Sequence, residues 1–496
     1  MKITLQDAWG LASDRRFDNL DMPILHDPVN YGAKADIGSH YGEFLSLSTD
    51  LPRSAGAFTQ FLAGEKSEVS ELPFEQRISA VLRYLSSPMR FEPLNSPEVH
   101  YPVSSFGGLL SCGIKFVCRH PEKNGYAEVF HFYGNYHALE KQHACVEWPD
   151  ALPIGEWLVV ITGQYWTVGR KYGDFSPFGV VLDSGIILAQ LQYLLNLFGI
   201  GFSTGNLDLN RIGERVIPTG SFQQVLAALP ISVPDEAATM LNGSLKPMEI
   251  AAYQEPKGIT ERFSLLNDTV DLLSASYEKH WPESPENAET ESDAQLLQSL
   301  PDTDILDVIY NRTSSSDRLG FSQINKMLDG EFLQRFMKTF HKLRSRRALL
   351  PLEDKLMLNL AWINNFGPSM GLYNDQAEPI YIAQDTKQFR NILQDRLYST
   401  NQKYNIASMT LEMYISVDTY QVSEFAGNSA FRLAHMAAGA VAHDMCLVAS
   451  LFGAFARPVR MFRDTKLQQR LGLDGQLLMQ VLVGFNRYNN YALTIL

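Results

Sequence analysis

At 496 residues, with 45% hydrophobic and 20% charged residues, the chain has material for two or three separate cores and is not disordered throughout. Its formal net charge of -13 gives a polyanion no electrostatic footprint, so a nucleic-acid partner is not expected. The four cysteines, Cys112, Cys118, Cys145 and Cys446, form no CxxC pair and no metal-ligand spacing with histidine, so reduced thiols, a cytoplasmic location and no metal site are expected.

Residues 1–7 lack the apolar core and small-residue cleavage site of a secretory signal, and export by that route is not expected. The first predicted helix covers 75–86. Strands follow at 113–118, at 127–132, where apolar and polar residues alternate, and at 157–162, an apolar run that reads as buried. A long helix begins near Val180. Its apolar stretch contains Asp183, Gln190, Gln192 and Asn196, which are costly in hydrocarbon without partners, so it reads as a buried helix and not a membrane span. The segment 278–292 is acidic, carries Pro282 and Pro285 and is poor in aliphatics, the composition of a surface linker. Beyond it, helices are predicted at 321–328 and 351–362, strands at 379–383 and 411–416, and a second long helix at 434–452. Arg344-Ser345-Arg346-Arg347 reads as a solvated helix end. Each half is therefore α+β, with helices packed on a mostly antiparallel sheet.

The two halves repeat one another. Gly185 to Leu197-Phe198-Gly199 is matched by Gly439 to Leu451-Phe452-Gly453, with the same glycine-to-glycine spacing. The turn Ser104-Ser105-Phe106-Gly107-Gly108-Leu109 is set against Pro368-Ser369-Met370-Gly371-Leu372. Two copies of one unit make a covalent pseudo-dimer, and a site at their interface draws different residues from each copy.

Three groups of residues carry chemistry. In Asn311-Arg312-Thr313-Ser314-Ser315-Ser316-Asp317-Arg318, two guanidiniums, several hydroxyls and backbone N–H groups suit a phosphate monoester, and the same residues also make an ordinary helix cap. Pro102-Val103-Ser104-Ser105-Phe106-Gly107-Gly108 lets a flat heteroaromatic ligand approach the backbone, or is a plain turn before a strand. In Gly169-Arg170-Lys171-Tyr172-Gly173, a lysine beside a tyrosine makes a proton-transfer pair where burial or a neighbouring cation shifts the two pKa values. The dipeptide alone carries little, since Lys403-Tyr404 occurs in the other half. His435 and His443 lack a third ligand and read as packing.

In this order and spacing the three groups resemble the nitroreductase superfamily and, within it, the flavin-dependent azoline dehydrogenases of thiazole/oxazole-modified peptide biosynthesis. The resemblance covers most of the chain, in two copies. Val103 to Leu109 stands in place of the family's PSAGGLYP turn and strand, and His137-Ala138-Leu139 matches its H-A-L element. Lys171-Tyr172, Phe178 and Leu182-Asp183-Ser184-Gly185 match its Lys-Tyr, aromatic and LDAG helix start. Arg312-Thr313-Ser314 to Arg318 is similar to its RRSxRxF flavin-phosphate motif, with Phe321 displaced. The second copy offers Tyr420 at the Lys-Tyr position without an adjacent lysine, and the first copy offers only Arg53-Ser54-Ala55-Gly56 at the phosphate position.

The resemblance implies an α+β pseudo-dimer of two nitroreductase-like domains, 1–235 and 305–496, joined by a connecting segment 236–304. It implies one FMN per chain, bound between the copies. Arg312, Ser314 and Arg318 of the second copy would hold the phosphate, with Arg487 near it and Arg457 beside the ring. Ser104, Ser105 and Gly107 of the first copy would cover the ring, and Lys171 and Tyr172 would move the proton. The implied reaction oxidises thiazoline or oxazoline rings in a ribosomally made precursor peptide, with a cyclodehydratase or other peptide-modifying enzyme as partner. Reduction of dehydroamino acids or of nitro and quinone compounds, and an inactive interaction subunit, are the other readings. Further self-association stays open.

Overall fold

The computed structural model describes residues 3–13, 20, 22, 44–93, 98–120, 123–148, 156–205, 207–217, 223–234, 264–275, 277, 281–282, 291–315, 323–363, 369–394, 405–460, 462–487 and 492–495. The first half contains α1 (Leu5–Ala12), β1 (Phe44–Ser46), α2 (Phe58–Ala63), α3 (Phe74–Ser86), β2 (Arg90–Phe91), β3 (Val99–His100), β4 (Cys112–Arg119), β5 (Tyr126–Tyr133), β6 (Ala138–Glu147) and β7 (Glu156–Gln164). It continues with α4 (Tyr165–Tyr172), α5 (Ser176–Leu197), α6 (Leu209–Val216) and β8 (Gln223–Ser232). Between the halves lie α7 (Ser264–Leu273) and α8 (Glu291–Gln298). The second half has α9 (Ile305–Asn311), β9 (Gln323–Ile324), α10 (Gly330–Arg344), β10 (Leu356–Trp362), β11 (Gly371–Asn374), β12 (Pro379–Ile382), α11 (Thr386–Gln394) and β13 (Leu411–Val417). It closes with α12 (Thr419–Ala426), α13 (Ala430–Leu451), β14 (Phe455–Val459), α14 (Asp464–Leu471), β15 (Gln476–Asn486) and β16 (Leu493–Thr494).

Two antiparallel sheets carry the duplication. The first has the order β1-β6-β5-β4-β7-β8 and the second β12-β11-β10-β13-β15-β14, so the path β6-β5-β4-β7-β8 recurs as β12-β11-β10-β13-β15. The apolar helices α5 and α13, 22 residues each, are buried almost all round, as a helix sandwiched between layers must be. They run side by side in the same direction: Phe178 meets Phe431, Gln190 meets His443 and Tyr193 meets Asp444. Gly185 and Gly439 set the approach. A methyl group on Gly185 would overlap the Met436 carbonyl, and one on Gly439 the Leu182 carbonyl. The two contacts are equivalent across a pseudo-two-fold axis, the reciprocity of an isologous interface. A second reciprocal contact flanks it, where Phe58 N–H donates to Thr303 O and Ile305 N–H to Gly56 O.

The predicted helix at 75–86 and the strands at 113–118, 127–132, 157–162, 379–383 and 411–416 match α3, β4, β5, β7, β12 and β13. Both long helices are present, starting four residues earlier than predicted. Three expectations are corrected. Residues 351–362 are not a helix: a single 3-10 turn, Glu353–Lys355, leads into strand β10, where Leu356, Leu358, Leu360 and Trp362 alternate with the other face. The predicted 321–328 helix is contradicted where it is described, since Gln323–Ile324 pairs with Phe485 and Asn486 as strand β9. The basic run 344–347 is no solvated helix end: Arg347 is 1% exposed and binds Glu353 and Asp444 at 2.7 and 2.6 Å. Most of the acidic segment 278–292 and Lys403-Tyr404 lie outside the described residues. The segments Thr167–Leu197 and Thr419–Leu451 are long and apolar enough to cross a membrane, and their most apolar windows are 100% and 94% buried within the fold.

Candidate functional site

Strand β4 follows the Ser-Gly turn, and β10 is its counterpart, so the partner of residues 102–111 in the second copy is the stretch before β10. The sequence pairing with Pro368-Ser369-Met370-Gly371-Leu372 is therefore corrected: Gly371 opens β11, the counterpart of β5. The phosphate-side pairing changes too. Helices α2 and α9 start from the reciprocal bridge between Ala57 and Asp304. Arg312-Thr313-Ser314, which follows α9, then corresponds to Glu65-Lys66-Ser67 and not to Arg53-Ser54-Ala55. Finally, α4 ends at Gly173 (φ 50, ψ -129) and α12 at Gly427 (φ 55, ψ -138), a conformation open to glycine. Phe425-Ala426 thus occupies the Lys171-Tyr172 position, and Tyr420, 71% exposed, lies at the start of its helix.

The structure brings the second copy's arginine to the first copy's turn. Arg312 is 4% exposed, and its Nε donates to Pro102 O at 2.8 Å while Nη2 donates to Tyr101 O at 2.9 Å. Its Nη1 is buried with no hydrogen-bond partner among the described residues. Arg90 supports this segment from below, donating to Arg312 O at 3.1 Å and pairing with Glu92 at 2.5 Å. Ser314 follows, its carbonyl accepting from Arg457 Nη1 at 3.3 Å, and Thr313 O accepts from Ala456 N–H, so the segment lies along β14. Ser315 Oγ donates to Asn486 Oδ1 at 2.5 Å, next to the exposed Arg487. Arg318 lies outside the described residues.

Across the interface, Ser104 Oγ is 3.7 Å from Cys446 Sγ on α13. Ser105 is committed to its own turn, its Oγ accepting from Leu110 N–H at 3.2 Å. Gly107 (φ +63) is pressed against Tyr172, where an added Cβ would come within 2.7 Å of the phenol oxygen. Phe106 packs on the same ring at 4.2 Å between centroids, and Lys171 Nζ lies 5.4 Å from its centre. Lys171 is half-buried and Tyr172 buried.

Sequence reasoning treated Asp183 only as a polar residue in an apolar helix and as part of the helix start, and it turns out to fix the turn. Both its oxygens accept from Phe106 N–H at 2.9 Å, and Ser111 Oγ donates to it at 2.6 Å. Burial is the main cause that pushes its carboxyl from 3.8 up to about 7, with the Ser111 and Phe106 hydrogen bonds opposing. A raised native pKa means the folded state holds the proton that the unfolded state releases, so this group's contribution to stability falls as pH rises from about 4 to 7. Asp183→Asn is therefore expected to flatten the stability profile in that window, with its advantage over the parent growing toward pH 8. Urea midpoints at pH 5 and pH 8 check this, and a parallel pair of profiles would refute it.

His435 and His443 are both fully buried, His443 Nε2 meeting Gln190 Oε1 at 2.7 Å. Among the described residues no cluster of three or more His, Cys, Asp or Glu side chains is arranged to hold a metal ion.

The chain has the nitroreductase fold. It is similar to a crystal structure from anabaena variabilis described as a nitroreductase, over 88% of this chain and 93% of that one, with a TM-score of 0.59 and 14% identity. Two further solved structures match shorter parts: a ralstonia eutropha protein described as a nitroreductase (12% identity, 38% of this chain, 89% of that one, TM-score 0.30) and a chain of the E. coli microcin synthetase McbBCD complex (14% identity, 48% and 85%, TM-score 0.29). No family model and no curated protein matches the sequence.

Proposed function

We propose that the chain is an FMN-dependent oxidoreductase that oxidises azoline rings of a ribosomally made peptide to azoles, with one cofactor site between copies 1–235 and 305–496. The observation that carries this reading is the meeting of unlike residues from the two copies. Arg312 of the second copy holds the backbone of the Ser-Gly turn, and Tyr172 of the first closes the other end of that turn. The residues present fit the cofactor: the buried Arg312 Nη1, without a hydrogen-bond partner among the described residues, is a donor for a phosphate oxygen, Ser314 lies on the same segment, and Arg457 on the strand beside it donates to the Ser314 carbonyl. Arg318 and Arg487 complete the phosphate side in this reading. When bound, FMN supplies the two-electron acceptor.

The chain's own residues do the rest. Ser104, Ser105 and Gly107 present a small, flat backbone surface to the ring, and the phenol of Tyr172 with the amine of Lys171 takes the proton lost from the azoline carbon. The other interface is unsuited to a second flavin. Glu65-Lys66-Ser67 stands there in place of Arg312-Thr313-Ser314, and Arg344, Glu353, Arg347 and Asp444 form a buried ion-pair chain beside the counterpart of the Ser-Gly turn. The substrate is a precursor peptide already carrying rings made by a cyclodehydratase.

Purified protein is expected to carry one FMN per chain by visible absorbance, and the product peptide to lose two hydrogens per ring by mass. A colourless protein with no affinity for added FMN would favour an interaction subunit. A product that gains two hydrogens would favour a reductase.

A further inference from the structure

A partly open cleft lies on the far side of the pseudo-two-fold axis from the Ser-Gly turn, walled by Leu226, Ala228, Leu350, Pro351, Trp281 and Met436. Its position follows from the duplication. Arg432, which also lines it, is the third residue of α13, as Phe178 is the third of α5. Leu350 and Pro351 precede β10 as the Ser-Gly turn precedes β4. Gly205 lies as far beyond Gly199 as Val459 lies beyond Gly453. The cleft is thus the counterpart, across the axis, of the space beside Phe106, Phe178 and Val459.

Where that space has Phe178, the cleft has a guanidinium. Arg432 is 3% exposed. Its Nη1 donates to Leu226 O at 3.1 Å and its Nη2 to Ala275 O at 2.9 Å, both neutral carbonyls, and its buried Nε has no hydrogen-bond partner among the described residues. Among the described residues no carboxylate pairs with it. A buried charge compensated by dipoles alone is costly, and an anion in the adjoining cleft removes that cost. The remaining walls are mixed, with Leu226, Leu350, Pro351 and Met436 offering apolar surface beside the polar Asn210, Ser274 and Tyr277. A phosphate ester fits poorly, because Glu65 occupies on this side the place that Arg312 takes on the other.

We propose that this cleft binds a small organic monoanion with an apolar body, a carboxylate whose head pairs with Arg432 and whose tail lies along Leu226, Leu350 and Met436. The site is independent of whether the opposite interface binds flavin.

The probe is decanoate, titrated by calorimetry into the intact protein as purified, with decanol as the uncharged control. Decanoate is expected to bind once per chain, and decanol at least about tenfold more weakly, since a charge-assisted bond is lost. Arg432→Met removes the charge, and Gly205→Phe, at a lining position where an added Cβ meets nothing within 4 Å, obstructs the cleft while keeping Arg432; each is expected to weaken decanoate about tenfold or more. If Arg432→Met does not fold, Gly205→Phe decides alone. No decanoate binding up to its solubility limit, equal binding of decanol, or unchanged affinity in the folded variants would overturn the proposal. So would loss of a bound flavin in Arg432→Met, which would make the cleft a second cofactor site.

Discussion

Lys171→Ala is expected to keep the protein yellow and to slow ring oxidation by about 10²- to 10⁴-fold, the range carried by one positioned acid or base. In the proposed site the phosphate contacts come from the other copy, so flavin content should not change. Lys171 sits at the end of α4, half-buried, with its amine 5.4 Å from the Tyr172 ring centre, and Tyr172 is itself pinned between Phe106 and Gly107. Lys171→Arg separates two roles. Arginine keeps the positive charge but does not give up its proton in this pH range. A proton-transfer role predicts that arginine fails as alanine does, whereas a purely electrostatic role predicts rescue. Turnover in Lys171→Ala equal to that of the parent would remove Lys171 from the chemistry.

Gly185→Ala is expected to destabilise the chain by about 2–4 kcal/mol, net of opposing effects. Alanine in a helix interior is favoured over glycine by about 1 kcal/mol, which works against the loss. The overlap with the Met436 carbonyl wins because a backbone oxygen in the middle of α13 cannot swing away, and the two long helices must separate. Gly439→Ala should behave alike, since its methyl meets the Leu182 carbonyl from the other side. Gly330→Ala is the control: nothing lies within 4 Å of the position of its Cβ, and it should be neutral or slightly stabilising. Denaturant midpoints compare the three. If Gly185→Ala matched the control, the helices would not cross at this residue. Flavin retention should fall with stability in Gly185→Ala, because the proposed site spans the interface that the helices set.

Much of the fold was legible where one period dominated. The strands at 113–118 and 157–162 and both long helices follow from apolar runs bounded by glycines, and the equal spacing of Gly185–Gly199 and Gly439–Gly453 announced the duplication. Residues 351–362 misled because Leu356, Leu358, Leu360 and Trp362 satisfy a period of two, whereas short apolar runs also fit a helix. The counterpart of Lys171-Tyr172 was legible but overlooked: Gly173 precedes Gly185 by the same interval as Gly427 precedes Gly439, and that register points to Phe425-Ala426. Other features had no local signal. Arg312 finds its carbonyl partners some two hundred positions away in the sequence, and Arg347 is buried only because Asp444 and Glu353 converge on it. Charge pattern along the chain reads such residues as surface, since long-range ion pairs leave no trace in neighbouring residues.

The crossing of α5 and α13 has a consequence during synthesis. Gly439 is translated 254 residues after Gly185, which at about 5–20 residues per second leaves an interval of roughly 10–50 s. Throughout it, one face of α5, including Phe178, Gly185 and Tyr193, has no helix to cover it, and the Ser-Gly turn lacks Arg312. A nascent first copy is therefore a sticky half-product that waits for its own second half, and holdase chaperones should capture it on the ribosome until α13 emerges.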